Sequence, residues 1–338
     1  REMLFCVLFI LTTFLTAFSQ TIIPGGNVSG TWTLTGSPYN VQGNITIPVD
    51  STLNIQPGVE VVFEGNFTLT VNGFLQAVGT ASDSIHFTAS TDWGGISFAD
   101  APDSSHLEYC ILDSAASFSA PLYCQNSNPV ISHCTIRDNS AFAGSGGIQI
   151  VGSNPRISYC TIRNNSTISS ASGGISISGS SPEIYYCSIS ENFSQSGVGG
   201  GIYCDAGSTP LISHCTITGN ISRTSNGGGI YISSPGGVVN IINSTISNCR
   251  AMSDGGGICI YQADTVSIVR TIIDANYTNG YGGTVYSGDC NSLIFNHCDV
   301  VNNTAGLNEG GIYLNGNTNI IVKNSIFRDQ MGPHIWFQ

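Results

Sequence analysis

The chain has 338 residues, of which 41 are glycine, and only 9% of its residues are charged. Its formal net charge is −12, and Lys323 is the single lysine. An acidic chain without a block of lysine and arginine lacks the phosphate-neutralising groups that supply nucleic-acid affinity, which argues against a nucleic-acid partner. The abundance of glycine, serine, asparagine and threonine favours many short strands joined by tight corners.

Residues 1–19 are predicted to be a secretory signal peptide. Leu4 to Phe18 form an apolar run that is short for a membrane span but suits the hydrophobic region of such a peptide. The small residues Ala17 and Ser19 then predict cleavage before Gln20. Export to the cell surface or the extracellular space is expected, with no membrane span after cleavage. A buried strand or a membrane anchor is the alternative for this segment.

Residues 20–91 are predicted to form an N-terminal cap and the first, irregular rungs of a repeat array. Short runs with alternating apolar residues, such as Asn44–Ile47 and Val59–Phe63, are separated by turn residues. Trp32 and Tyr39 precede these runs. They are expected to cover the open end of the array, because a terminal rung exposes unpaired strand edges.

From residue 92 to residue 338 one unit of roughly 26 to 28 residues recurs. Each unit joins a Gly-Gly-Ile strand to a segment of the form Pro-x-Ile-x-x-Cys-x-Ile-x-x-Asn, most regularly between Gly146 and Asn220. Such units bury their apolar face only by stacking on their neighbours. The pattern therefore predicts an all-β solenoid of about a dozen rungs, with a length of roughly 55 Å at the usual strand spacing.

Two repeat positions predict structural ladders. The cysteine position places one small apolar side chain in each rung, and free buried thiols are favoured over vertical disulfides or a metal site. The asparagine five residues later is predicted to satisfy backbone groups at a corner. The ladder residues are Cys110, Cys134, Cys160, Cys187, Cys215, Asn139, Asn165, Asn192 and Asn220. Ser244, Arg270, Cys298 and Asn324 are aligned with the cysteine position, where Arg270 requires a one-residue slip or an escape to solvent.

The repeat marks resemble the right-handed parallel β-helix repeats of the pectin-lyase-like superfamily. They are most similar to secreted bacterial β-helix proteins and to passenger regions of chlamydial polymorphic outer-membrane proteins. One mark is Gly200-Gly201-Ile202-Tyr203, and the other is Thr216–Asn220, where isoleucine replaces the phenylalanine of those proteins. The resemblance covers residues 21–338 and implies a right-handed single-stranded parallel β-helix. It carries no reaction, because relatives include lyases, hydrolases and epimerases of polysaccharides beside adhesins.

One patch of mixed charge is predicted on an outward face. The aligned repeats place Asp113, Arg137 and Arg163 in one column and Asp138, Asn164 and Glu191 in the next. Polysaccharide lyases and hydrolases need convergent carboxylates and a basic group. Arg137, Asp138, Arg163 and Glu191 are therefore the catalytic candidates, and Ca²⁺ is a possible cofactor only if the protein is such an enzyme. Surface ion pairing is the competing interpretation of this patch.

The position before each ladder cysteine predicts an outward strip of rings. Its members are Tyr109, His133, Tyr159, Tyr186 and His214. A row of exposed rings is a surface on which sugars can stack. The alternative is that corner aromatics only cover the bend and shield the backbone.

These features predict a secreted or cell-surface module with a structural or binding role, adhesin-like or glycan-binding, without a cofactor or an identifiable catalytic site. A polysaccharide or a surface protein is the expected partner. The alternatives are a polysaccharide-active lyase, hydrolase or epimerase, and assembly into fibres through open rung ends. No capping helix or sorting tail precedes Gln338, so the natural protein is expected to continue into further C-terminal domains.

Overall fold

A computed structural model of the protein describes residues 20–169, 171–307, 310–330 and 332–337. These residues form a parallel β-solenoid of about 11 turns. They contain a short 3-10 helix at Leu34–Gly36 and no α-helix. Within these ranges no helix has the length and apolar character that a bilayer crossing requires. The predicted all-β solenoid is confirmed, while the predicted signal peptide at residues 1–19 lies outside the described residues.

From Cys110–Leu112 to Asp299–Val301, each turn visits three sheets in a fixed order. Starting from Thr135–Arg137 in sheet 1, the chain continues through Ser140–Ala141 in sheet 3, and then through Ile148–Val151 and Arg156–Ser158 in sheet 2. The next strand of sheet 1, Thr161–Arg163, begins after the following corner. Strands of consecutive turns pair in parallel and in register. Each repeat position therefore becomes a column that runs along the solenoid axis.

Sheet 1 has 13 strands: Thr21–Ile23, Tyr39–Val41, Glu60–Phe63, Ile85–Ala89, Cys110–Leu112, Thr135–Arg137, Thr161–Arg163, Ser188–Ser190, Thr216–Thr218, Thr245–Ser247, Ile272–Asp274, Asp299–Val301 and Ile326–Arg328. Sheet 3 has eight strands of two residues each: Ala116–Ser117, Ser140–Ala141, Ser166–Thr167, Phe193–Ser194, Ile221–Ser222, Arg250–Ala251, Tyr277–Thr278 and Thr304–Ala305.

Sheet 2 has 22 strands in two halves that lie end to end. The first half contains Gly26–Asn27, Ile45–Ile47, Thr68–Val71, Gly95–Ala99, Leu122–Gln125, Ile148–Val151, Ile175–Ser178, Ile202–Asp205, Ile312–Leu314 and Ile335–Phe337. The second half contains Gly30–Trp32, Thr52–Ile55, Phe74–Val78, His106–Glu108, Val130–Ser132, Arg156–Ser158, Glu183–Tyr185, Leu211–Ser213 and Ile320–Lys323. Three long strands span both halves: Ile230–Ile242, Ile258–Val269 and Val285–Asn296.

Aliphatic columns fill the interior of the solenoid. Ile157, Ile184 and Ile212 stack in one column and are fully buried. Burial of such apolar surface is the main favourable contribution to folding. Near the start, Trp32 and Tyr39 are buried and stack with ring centroids 4.6 Å apart. Their role in covering an open end stays a prediction.

The Gly-Gly mark is required by the close approach of consecutive turns. A Cβ atom on Gly174 would lie 2.4 Å from the carbonyl oxygen of Gly201, and one on Gly147 would lie 2.6 Å from that of Gly174. Real Cβ atoms do not approach backbone atoms so closely, and the stacked backbone has no freedom to move away. Any side chain at these positions would therefore separate two turns.

The asparagine column forms a buried hydrogen-bond ladder. Asn165 Nδ2 donates to the carbonyl of Ile136 over 2.9 Å and to Asn192 Oδ1 over 3.1 Å. Asn192 Oδ1 also accepts the backbone N–H of Asn165 over 3.1 Å. The same bonds recur from Asn139 to Asn220. Each amide thus satisfies buried backbone groups of two neighbouring turns, which irregular corner backbone needs.

The 11 cysteines of the described chain are free and buried. Cys134 Sγ lies within hydrogen-bond distance of two carbonyl oxygens, 3.4 Å from that of Leu107 and 3.2 Å from that of Ser132. Burial raises the pKa of Cys124 to about 12. A thiol that stays protonated at neutral pH is a poor nucleophile and a poor metal ligand.

The alignment of two later residues with the cysteine column was wrong. Strand pairing places Thr271 and Ser325 in this column beside Ser244 and Cys298. Arg270 and Asn324 lie one residue earlier, in the column of Tyr159. The sequence Ile272-Ile273 is ambiguous in register, and the structure buries Ile273 while Ile272 is 46% exposed. Arg270 consequently lies in solvent and its strand keeps its inward face.

Replacing Asn192 with alanine tests the ladder. The change leaves the carbonyl of Ile162 and the N–H of Asn165 without these buried partners. Each lost partner costs about 1–3 kcal/mol, so the free energy of unfolding should fall by about 2–6 kcal/mol in urea titrations followed by circular dichroism. The control Asn164→Gly changes an exposed residue with φ of 53° and should cost less than about 0.5 kcal/mol. Equal losses in both variants would contradict a structural role for the ladder.

Candidate functional site

Five rings stack at the corner where sheet 2 passes into sheet 1. Their centroids are separated by 4.6 Å from Tyr109 to His133, 4.9 Å to Tyr159, 5.0 Å to Tyr186 and 4.6 Å to His214. Each of the five residues has a positive φ, between 47° and 55°. This left-handed backbone turns the side chain away from the core. We call this set the ring column.

The ring column presents edges to solvent more than faces. Tyr159 and Tyr186 differ by only 2° in ring orientation. Two nearly parallel rings with centroids 5.0 Å apart are stacked, with each partly covering the other, because rings side by side in one plane would collide at that distance. Tyr159 is nevertheless 53% exposed. A ligand therefore reaches the hydroxyls and ring edges of the column rather than the faces of its inner rings.

Hydrogen bonds fix His214 at one end of the column. Asn243 Nδ2 donates to His214 Nε2 over 3.2 Å, and Arg270 Nε donates to Asn243 Oδ1 over 2.7 Å. His214 Nδ1 then carries the ring proton and donates to Ser213 Oγ, 2.9 Å away. His133 Nδ1 lies 3.8 Å from Glu108 Oε1. The residues that follow the rings thus extend the same column with polar groups.

A groove of about 270 Å³ opens beside the ring column on sheet 2. Its lining consists of Arg156, Ser158, Tyr159, Tyr185, Tyr186, Ser213 and His214. Ser158, Tyr185 and Ser213 occupy one outward column of the sheet. The guanidinium carbon of Arg156 lies 5.6 Å from the centre of the Tyr185 ring. Tyrosines, a guanidinium and hydroxyls converge here on one concave surface, which we call the corner groove.

Sequence reasoning found three residues of the corner groove, Tyr159, Tyr186 and His214, and missed the other four. Tyr185 and Arg156 stand on outward positions of the alternating strands, which is a signal that the repeat already contained. Burial, followed by the nearby Glu183 carboxylate, raises the pKa of Tyr185. Arg156 forms no ion pair within the described ranges. Its neighbour in the same column of sheet 2 is Glu183.

A second cluster centres on Asp113, which directly follows the sheet 1 strand Cys110–Leu112. Asp113 Oδ2 lies 3.0 Å from His86 Nε2 and 3.0 Å from Arg137 Nη2. Thr88 Oγ1 donates to Asp113 Oδ1 over 2.7 Å, and the indole of Trp93 donates to its carbonyl over 2.8 Å. Burial alone would raise the pKa of Asp113, but the Thr88 hydrogen bond together with His86 and Arg137 lowers it. The carboxylate is therefore a charged structural anchor at neutral pH.

The four catalytic candidates do not converge on the corner groove. Arg137 is held by Asp113 and lies 3.8 Å from Asp138 Oδ2. Arg163 follows Arg137 in the sheet 1 column and has no ion pair within the described residues. Asp138 and Glu191 occupy the next corner, with φ near 55°, and are separated by Asn164. In the described part of the chain no three His, Cys, Asp or Glu side chains form a group suited to a metal ion.

The model of the family described as the right-handed β-helix region matches residues 84–223 and 199–338. The chain belongs to this right-handed β-helix family. The right-handed parallel β-helix implied by the repeat resemblance is thus confirmed. No curated protein and no solved structure gives a significant match.

The β-helix carries a second tyrosine column that sequence reasoning did not single out. Tyr203, Tyr231, Tyr286 and Tyr313 share one outward column of sheet 2, in which Cys259 separates Tyr231 from Tyr286. Tyr231 and Tyr313 are buried. The signal was the tyrosine that follows Gly-Gly-Ile in several repeats. Burial of two of its rings makes this column more a covering layer than an open binding strip.

Replacing Asp113 with asparagine tests the anchor in this β-helix. The folded carboxylate has a lowered pKa, so its stabilisation is present above the unfolded pKa of about 3.9 and is lost as pH falls through the folded value. Asp113→Asn should lower the free energy of unfolding at pH 7 by about 1–3 kcal/mol, and the difference should shrink below about pH 4. Urea titrations across this range measure it. Asp92→Asn, at an exposed site, should change little at either pH, and a pH-independent loss for Asp113→Asn would contradict a charged anchor.

Proposed function

We propose that this β-helix is an exported binding module that recognises a glycan in the corner groove. The observation that carries the proposal is the convergence of Tyr159, Tyr185, Tyr186, Arg156 and His214 on one concave surface. Saccharide sites combine aromatic carbon surface with a few fixed polar groups. The groove supplies both, and it does so on a rigid stack of strands.

The chemistry of the groove suits sugar hydroxyls. Tyrosine and serine hydroxyls donate and accept hydrogen bonds, whereas Arg156 only donates. The exposed ring edges of the tyrosines add carbon surface beside these polar groups. Since the groove is built from equivalent positions of consecutive turns, it runs along the solenoid axis and favours a chain of sugars over a single one.

The groove is also preorganised for binding. Tyr159, Tyr186 and His214 hold their places by mutual stacking, and His214 is hydrogen-bonded to Ser213 and Asn243. Side chains that are already ordered lose little entropy when a ligand binds. Rigid tyrosines therefore contribute more of their contact energy to affinity than flexible side chains would.

The positions of the four catalytic candidates favour a binding role over a catalytic one, because none of them lines the groove. Arg137 is engaged by Asp113, and Asp138, Arg163 and Glu191 lie in columns beyond the groove. The proposed setting is the cell surface or the extracellular space, which the apolar run from Leu4 to Phe18 supports. A surface glycan is the proposed partner there, and the solenoid serves as its rigid support.

A double substitution tests the corner groove. Tyr159→Ala combined with Tyr186→Ala removes two of its walls, so the affinity for a glycan identified on an array should fall about tenfold or more, equivalent to about 1.4 kcal/mol. Tyr261→Ala removes an exposed tyrosine elsewhere on the β-helix and should leave the affinity unchanged. Binding that persists in the double variant, with an unchanged circular dichroism spectrum, would place the glycan elsewhere.

The catalytic alternative has a separate test. Incubation of the intact protein with acidic polysaccharides, with and without Ca²⁺, should release neither unsaturated nor reducing oligosaccharides, because the proposed module only binds. Release that disappears in Arg163→Ala but persists in the control Arg223→Ala, an exposed arginine outside the corner groove, would replace the binding proposal with an enzyme centred on sheet 1.

A further inference from the structure

The outward surface of sheet 3 is apolar over much of its length. Five large side chains on it are exposed: Phe118, Phe142, Ile168, Ile221 and Met252. Phe118 is 73% exposed and stacks on Phe142 with a centroid distance of 5.8 Å. Consecutive turns are about 4.8 Å apart, so the surface from Phe118 to Tyr277 extends over about 29 Å. Contiguous apolar surface of this kind marks an interaction site more often than scattered exposed residues do.

Two shallow pockets occupy one end of this surface. The first, of about 320 Å³, is lined by Phe193, Ile221, Ser222, Arg223, Arg250 and Met252. The second, of about 330 Å³, shares Arg250 with the first and is also lined by Asn248, Ala275 and Tyr277. The guanidinium carbon of Arg250 lies 5.0 Å from the centre of the Tyr277 ring. Two guanidinium groups thus border an apolar depression.

The charge of this surface is opposite to that of the protein. The chain has a net charge of −12, yet the strands of sheet 3 and the residues directly after them contain no aspartate or glutamate. Within the described ranges Arg223 and Arg250 form no ion pair. Unpaired arginines beside exposed apolar groups suit a ligand that is both acidic and apolar.

The kind of occupant follows from what the surface offers. Backbone pairing is not available, because the inner strands of sheet 3 are hydrogen-bonded to neighbours on both sides. The first pocket offers mainly carbon surface and two guanidinium groups, with one buried serine, so it lacks the acceptors that hold a saccharide. A surface about 29 Å long matches about nine residues of extended peptide, docked through its side chains.

We propose that sheet 3 is a docking surface for an acidic peptide segment of a partner protein. A carboxylate of the segment lies between Arg223 and Arg250, and its apolar side chains pack on Phe193, Ile221 and Met252. The corner groove shares no residue with this surface. The two sites lie at opposite ends of the sheet 1 strands, so glycan and peptide can bind at once.

Two matched peptides test the proposal on the full chain. Ac-Phe-Glu-Leu-Glu-Phe-NH₂ should bind at least tenfold more tightly than the same peptide with glutamine in place of glutamate, as measured by calorimetry. Its affinity should fall with rising salt, since the arginines are exposed. Arg223→Gln combined with Arg250→Gln should weaken the acidic peptide at least tenfold and leave glycan binding intact, whereas Arg156→Gln should leave the peptide affinity within twofold.

Three outcomes would overturn the proposal. One is the absence of binding by either peptide, and another is equal binding of the acidic and the neutral peptide. The third is binding to phosphatidylglycerol vesicles that depends on Arg223 and Arg250 while the acidic peptide does not bind, which would make the surface a membrane contact. Circular dichroism of the double variant confirms that a lost interaction is not lost folding, and Ile221→Asn provides a second variant that keeps both charges.

Discussion

Parallel, in-register pairing between consecutive turns is the constraint on which the rest of this protein depends. It converts a repeat position into a column of like side chains about 4.8 Å apart. A column can contain only those side chains that fit against their neighbours at this spacing. Position 174 is occupied by glycine because a Cβ atom there would collide with the carbonyl oxygen of Gly201. Asn192 bonds to Asn165 and Asn220 because one amide bridges the gap between two turns.

The corners extend this constraint to the outside of the molecule. Residues such as Tyr159 and Asn164 adopt left-handed backbone, which costs free energy for residues other than glycine. Ring stacking offsets part of that cost in the first case, and a side-chain hydrogen bond from Asn164 to Asp138 does so in the second. The same contacts hold the side chains at fixed positions. The corner is therefore both a structural device and a rigid platform on which a binding groove can be built.

The scarcity of charge makes each charged group informative. Asp113 gathers His86 and Arg137 into one partly buried cluster, in which its carboxylate pairs with the Arg137 guanidinium. Arg156, Arg223 and Arg250 are left without ion pairs among the described residues, and each borders a concave surface. In an acidic protein, such cations attract anionic or hydrogen-bonding ligands selectively. The regular columns thus explain the stability of the solenoid. The residues that vary from turn to turn give its outer faces different chemical properties.

The sequence by itself determined the solenoid, its inward isoleucines, the cysteine and asparagine columns, and the place of the ring column. It did so because a repeat with period-two alternation permits one way to bury its apolar face. It did not determine the register at Arg270, since both Ile272 and Ile273 fit the pattern and only stacking on neighbouring turns selects Ile273. It also did not show that the rings of Tyr159 and Tyr186 cover one another, or that Tyr185 and Arg156 join them in a groove. Those features depend on distances between residues of different turns, which strand pairing and corner geometry decide and which a linear pattern does not contain.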